Sequence, residues 1–233
     1  MKYIPKTLLH TSESKYLVVF VQGFIGSIDS PLCQSIFNNT SINRVDFFTF
    51  DFPGHGEDMS PLATLSEMTL ILSEHLQYLE SIYPTKKIIL IGHSQGSVVI
   101  YNYLIKTKRV IPCLFLTPAF DIFNIISARL SMEDMSKLKT STIKKEFRPN
   151  TIRVITANWI KEYKNQKYDF QLPNSKYLAI FGNEDNIVDP IKNLEIYNKI
   201  TDNATHIFIK GDHIFSENTT ELNNIVYKFI TEV

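Results

Sequence analysis

Apolar residues along this chain gather in short unbroken runs, and glycine or proline closes each one. Tyr16 to Val21 stops at Gly23, Val45 to Phe52 at Pro53-Gly54, and Lys87 to Ile91 at Gly92. Val110 to Leu116 is closed by Pro118, Tyr177 to Phe181 by Gly182, and His206 to Ile209 by Gly211. A strand with one solvated face alternates apolar and polar positions. A run without alternation suits a strand covered on both faces, as in a parallel sheet.

Helical spacing fills the intervals. Ser66 to Ile82 sets Met68, Leu72, Leu76 and Leu79 on one stripe, with Pro84 beyond its end. Ser97 to Ile105, Ile191 to Ile200 and Leu222 to Phe229 are three further helix candidates. Strand and helix in alternation predict right-handed βαβ units. The expected fold is α/β, a mostly parallel central sheet flanked by helices in a single domain spanning residues 1–233.

Residues from about 120 to 176 break the rhythm. The stretch is lysine-rich, and helices are expected near Glu133 to Glu146 and Thr151 to Tyr163. An excursion this long between two sheet strands usually serves function. It reads as a helical cap inserted over one end of the sheet.

Composition narrows the classes. Lys+Arg and Asp+Glu number 24 each, so the formal net charge is zero. That argues against a nucleic-acid footprint. Cys33 and Cys113 lie far apart beside apolar neighbours, which suits buried reduced thiols and not a disulfide scaffold. Met1 to His10 has no continuous apolar segment, and no run is long enough to span a bilayer. A soluble, cytoplasmic protein without stable membrane insertion is the expectation. No His/Cys/Asp cluster has metal-ligand spacing, and no phosphate or dinucleotide fingerprint appears, so neither metal nor cofactor is expected.

The chemistry concentrates at Gly92-His93-Ser94-Gln95-Gly96, a G-x-S-x-G motif. It follows the apolar strand Ile88 to Ile91 directly and precedes an apolar helix directly, which is the context the motif requires. Small residues two before and two after the serine let strand and helix pack closely. The turn also sets Ser94 at a helix N-terminus, where free N–H groups favour developing negative charge.

Other segments extend the pattern. Gln22-Gly23-Phe24-Ile25-Gly26-Ser27 follows the first strong strand, and Asp51-Phe52-Pro53-Gly54-His55-Gly56 follows the next. Gly182-Asn183-Glu184-Asp185-Asn186-Ile187-Val188 and Gly211-Asp212-His213 come later. Together with the elbow they resemble the α/β-hydrolase family, from about Tyr16 onward. The order Ser, Asp, His along the chain is that family's order. The resemblance implies an oxyanion loop at Gly23-Phe24, although Gln22 stands where the family commonly has histidine. It implies a structural turn at Asp51 to Gly56.

On this reading Ser94 is the nucleophile and His213 its base. Of the six histidines, His213 follows a strand at the sheet's C-terminal end, where α/β sites gather. Asp185 is the candidate acid, with Asp121 as the alternative and Glu184 and Asp189 nearby. Backbone N–H groups of Phe24 and Gln95 would form the oxyanion hole. Phe24, Ile25, Phe120, Trp159 and Val188 are candidate substrate-binding residues.

A serine hydrolase acting on a small-molecule acyl ester follows, of the carboxylesterase or monoacylglycerol/lysophospholipid lipase kind. A thioesterase, a small peptidase or a C–C bond hydrolase could use the same three residues. A non-catalytic binding module is the third class, since fold does not fix function. Seven cap lysines (Lys137, Lys139, Lys144, Lys145, Lys161, Lys164, Lys167) suit a solvated face better than a headgroup site.

Overall fold

The computed structural model describes residues 6–202 and 205–233; the first five positions of the N-terminal segment discussed above lie outside them. The chain runs β1 (Thr7–His10), β2 (Tyr16–Val21), α1 (Pro31–Ile42), β3 (Asp46–Phe50), α2 (Leu65–Ile82), β4 (Lys87–His93), α3 (Gln95–Thr107) and β5 (Cys113–Leu116). The excursion then holds α4 (Ile122–Ser127), α5 (Met132–Lys137), β6 (Thr142–Arg148), β7 (Thr151–Thr156) and α6 (Ala157–Lys164). The chain closes with β8 (Tyr177–Gly182), α7 (Pro190–Ile200), β9 (Thr205–Ile209) and α8 (Thr219–Thr231).

Seven strands form one sheet in the order β1-β3-β2-β4-β5-β8-β9. Only the edge strand β1 runs antiparallel, pairing Thr7 with Phe50 and His10 with Phe47. The unbroken apolar runs now have their physical reason. Successive side chains of β2 point to opposite faces: Leu17, Val19 and Val21 enter one core, Tyr16, Val18 and Phe20 the other. Helices α2 and α3 cover the first face, while α1 and α8 cover the second.

Local chemistry sets the helix ends. Thr64 and Glu67 form a reciprocal capping box at the start of α2. Helix α3 presents buried side chains from Gln95 to Tyr101, so it is a core helix, and it ends where Lys108 turns left-handed at φ 58°. Asp189 accepts from the N–H groups of Ile191 and Lys192, and Pro190 follows it to start α7.

The cap differs from expectation in kind. The helix expected over Glu133 to Glu146 stops at Lys137, and Thr142–Arg148 pairs antiparallel with Thr151–Thr156. The reason is legible in retrospect: Ile143, Lys145 and Phe147 turn inward while Thr142, Lys144 and Glu146 face solvent, a period of two. Pro149-Asn150 makes the turn, with Asn150 at φ 61°, and β-branched residues dominate the return strand. Only the second half of the other expected helix, Ala157–Lys164, is helical.

This cap is fastened to the body. The Leu62 N–H donates to the Val154 carbonyl at 2.9 Å, and the Ser66 N–H to Glu162 at 2.7 Å. The buried Arg153 guanidinium donates to the Gly56 carbonyl. Trp159, fully buried, lies against Tyr163 with ring centroids 4.4 Å apart and against Phe24 at 5.7 Å.

Candidate active site

Four loops at the C-terminal ends of β2, β4, β8 and β9 converge. Ser94 sits between β4 and α3 with φ 52° and ψ −118°, a strained conformation of the sort concentrated at functional sites. The strain is imposed by close packing on both sides. A Cβ at Gly96 would lie 2.2 Å from the Val21 carbonyl oxygen, and one at Gly92 would lie 2.9 Å from Ser97 Cα. The serine's own N–H is anchored to the Leu116 carbonyl of the neighbouring strand at 2.9 Å.

Ser94 Oγ lies 3.0 Å from His213 Nε2, and His213 Nδ1 lies 2.7 Å from Asp185 Oδ2. All three side chains are nearly sealed from solvent. Asp185 is itself held, because its other oxygen accepts from the N–H groups of Ile187 and Val188, both at 2.9 Å. A carboxylate facing Nδ1 makes that nitrogen the donor. Nε2 is then bare and can accept the serine proton.

Two groups that escaped the sequence reading hold the His213 turn. His93 points back beneath it: its Nε2–H donates to the His213 carbonyl at 3.0 Å, and the two rings lie 5.0 Å apart. The Thr117 hydroxyl donates to the same carbonyl at 3.1 Å. Burial, then the nearby His213 charge, brings His93 down to about 3, so it stays a neutral donor. Asp212 accepts from the N–H groups of Ile214 and Ser216 and from the Ser216 hydroxyl, fixing the same loop. Ser94 and His93, adjacent on the elbow, reach His213 from different sides.

Asp121, the alternative acid, is engaged elsewhere. It pairs with Lys192 and accepts from Asn124, with no bond to His213. Asp189 caps α7. Of the remaining histidines, His55 is buried, donates through Nδ1 to the Pro53 carbonyl at 3.2 Å, and is brought down to about 4 by burial. His75 lies against Phe48 and Phe50, and His206 is exposed on β9.

The loop after β2 makes a tight turn, the Gly26 N–H donating to the Gly23 carbonyl at 3.0 Å. Ile25 takes φ 52° there, costly for a β-branched residue. Gln22 braces the loop from below by donating to Thr49 Oγ1 at 3.1 Å. Asp51 accepts from the Ile28 N–H at 2.7 Å. Burial pushes Asp51 up to about 6, although that N–H opposes the shift. The turn expected to be structural therefore does pack on this loop.

A cavity of about 420 Å³ opens over Ser94. Phe24, Ile25 and Val188 line it, together with Ile122, Ile125 and Ile126. Phe120 and Trp159 do not. Phe120 packs on Phe115 and Tyr168, and Trp159 faces the inside of the cap, so both are core residues. The cap lysines stay off its walls; Arg129 and Arg148 reach them instead. Among the described residues no group of three or more His, Cys, Asp or Glu could hold a metal ion, and no helix is long and apolar enough to cross a membrane.

A family model described as the alpha/beta hydrolase fold matches residues 16–151. The chain belongs to the α/β-hydrolase family. Among solved structures, this α/β-hydrolase is similar to Est1E from Butyrivibrio proteoclasticus with ferulic acid bound, at 16% identity and a TM-score of 0.83, covering 98% of this chain and 94% of that one. It is also similar to mouse alpha/beta hydrolase domain-containing protein 10, at 16% identity and a TM-score of 0.75, covering 98% and 94%. A third likeness is to the Pyrococcus furiosus esterase Pf2001, at 18% identity and a TM-score of 0.65, covering 99% and 93%. No curated protein sequence matches the chain.

Proposed function

We propose that the protein is a serine hydrolase that cleaves a small carboxylic ester through an acyl-enzyme on Ser94. One observation carries the reading: the unbroken line of hydrogen bonds from Asp185 through His213 to Ser94. A serine hydroxyl alone is a weak nucleophile. Here its proton passes to His213 Nε2 as Oγ attacks the ester carbonyl. Asp185 holds the tautomer and stabilises the imidazolium, and His213 then gives the proton to the departing alkoxide. Water repeats the sequence to release the acid.

The oxyanion that forms in each step needs two donors. Those assigned are the backbone N–H groups of Gln95, at the start of α3, and Phe24, after Gly23. Each such donor is worth about 2.7–4 kcal/mol in the transition state. Phe24, Ile25 and Val188 give the acyl or alcohol part an apolar wall. The Pyrococcus relative is an esterase by name, which fits the same reaction.

The test is intact mass after fluorophosphonate treatment, combined with turnover of p-nitrophenyl esters from acetate to palmitate. One adduct on Ser94 is expected, lost in Ser94→Ala together with turnover, while the fold persists. An alanine variant as active as the parent would overturn the assignment. No adduct and no turnover in the parent would favour a binding module on this fold.

A further inference from the structure

The cavity over Ser94 carries charge that a plain neutral ester leaves unused. Arg129, just beyond α4, and Arg148, the last residue of β6, both line it. Two cap lysines nearby have carboxylate partners: Lys137 pairs with Glu133 and Lys145 with Asp134. Arg109 pairs with Glu80, and Arg153 donates to the Gly56 carbonyl. Neither Arg129 nor Arg148 has an ion pair or a guanidinium hydrogen bond among the described residues.

The acidic residue on the same wall makes no ion pair with either arginine. Asp212 has its oxygens occupied by Ile214 and Ser216, and Asp185 is committed to His213. Partial desolvation lowers Arg148 from its ordinary value, and the like charges of Arg129 and then Arg153 lower it further. Two unpartnered guanidinium groups thus share one mouth above an apolar chamber. An arriving anion would relieve that repulsion, and guanidinium forks match carboxylate and phosphate oxygens two at a time.

We propose that Arg129 and Arg148 form an anion subsite, and that the substrate is an ester bearing a carboxylate or phosphate joined to the scissile bond by an apolar spacer. The proposal rests on the hydrolase reading of the same cavity. Ile122, Ile125 and Ile126 of α4 lie along the wall to receive the spacer, with Arg129 three residues past the last of them. The anion would then sit at the mouth while the ester carbonyl reaches Ser94.

Two matched pairs of substrates test it. In the first, the mono-4-nitrophenyl ester of suberic acid is compared with its methyl-capped diester, placing the charge on the acyl side. In the second, 6-(decanoyloxy)hexyl phosphate is compared with 6-hydroxyhexyl decanoate, placing it on the alcohol side. In one pair at least, kcat/KM should favour the charged member about tenfold or more at low salt, as charge-assisted hydrogen bonds allow. The ratio should fade as salt rises and fall towards one in the double variant Arg129→Gln/Arg148→Gln. The double variant Lys144→Gln/Lys164→Gln removes the same charge from the cap's outer face and should keep the ratio. Parity in both pairs, or a preference that survives loss of the arginines, would overturn the subsite while leaving the hydrolase intact. If nothing is hydrolysed and Ser94 takes no label, the hydrolase reading fails, and calorimetric titration of hexyl phosphate decides the subsite. Heat that disappears in the arginine double variant supports it; no heat from the parent overturns it.

Discussion

The elbow's geometry makes Gly96→Ala the sharpest single perturbation. The added methyl carbon would lie 2.2 Å from the Val21 carbonyl oxygen, the end of β2, and 2.8 Å from that of Gln22 just beyond it. Ordinary contact begins near 3.4 Å, so α3 must retreat by about 1 Å. Overpacking of this kind costs about 1–3 kcal/mol, and backbone on the far side places it at the upper end. In a domain of this size 1 kcal/mol shifts the melting temperature by about 2–4 °C, which gives a drop of roughly 6–12 °C. The same displacement carries Ser94 away from His213, and misplacement by about 1 Å can cost a hundredfold in rate. Thermal melts, and fluorophosphonate labelling rates measured below both transitions, would read the two effects. Gly26→Ala is the milder comparison, since its Cβ would meet the Gly23 carbonyl oxygen at 3.1 Å instead of 2.2 Å, and it should lower the melt by less than Gly96→Ala does. A Gly96→Ala protein that melts and labels like its parent would refute the reasoning.

Three further outcomes are expected. Thr117→Val removes one of two donors on the His213 carbonyl and should lower kcat several-fold, about 1 kcal/mol, at constant KM; combined with His93→Phe the loss should exceed the product of the single effects, and simple additivity in a double-mutant cycle would argue against a shared brace. Asp51 sits at about 6 against a usual 3.8, so the native state binds its proton more tightly and stability should fall as pH rises from about 4 to 6; urea melts of Asp51→Asn across that window should lose the slope, and an unchanged slope would reject the assignment. Cys33 and Cys113 are buried, and burial raises both thiols, so Ellman's reagent should find no reactive thiol in the native protein and both after guanidinium unfolding.

The elements legible in advance were those with redundant signals. Strand β4, the elbow and α3 were marked by an apolar run, two glycines and an apolar helix in immediate succession, and they stand as read. Strand β1 gives no signal because Thr7–His10 is only four residues long and a half-exposed edge. Helix α1 was missed because Asn38, Asn39, Thr40 and Ser41 are poor helix formers; packing of Leu32, Cys33 and Ile36 holds it instead. The cap hairpin was mistaken for helix because lysine and glutamate suggested one, while the alternation and the Pro149-Asn150 turn told otherwise. Aromatic character alone makes Trp159 and Phe120 candidates for the pocket wall, and only three-dimensional packing separates wall from core. His93 and Arg148 were beyond reach because their importance lies in what stands opposite them, and the contact between His93 and His213 spans 120 positions.

The fastening of the cap also bears on how the enzyme would meet its substrate. Hydrogen bonds from Leu62 to Val154 and from Ser66 to Glu162 stitch it to the body, and Trp159 is set between them as a buried plug. Swinging such a roof open would have to break those bonds and expose Trp159. A lipase whose lid must be levered open by an oil droplet shows a jump in rate once its substrate aggregates. Here the cavity reaches Ser94 with the cap in place, so on the ester-hydrolase reading velocity should saturate smoothly with dissolved monomer and show no step at the critical micelle concentration. Crowding at a lipid–water boundary would bring this protein no awakening, only a lower supply of free ester.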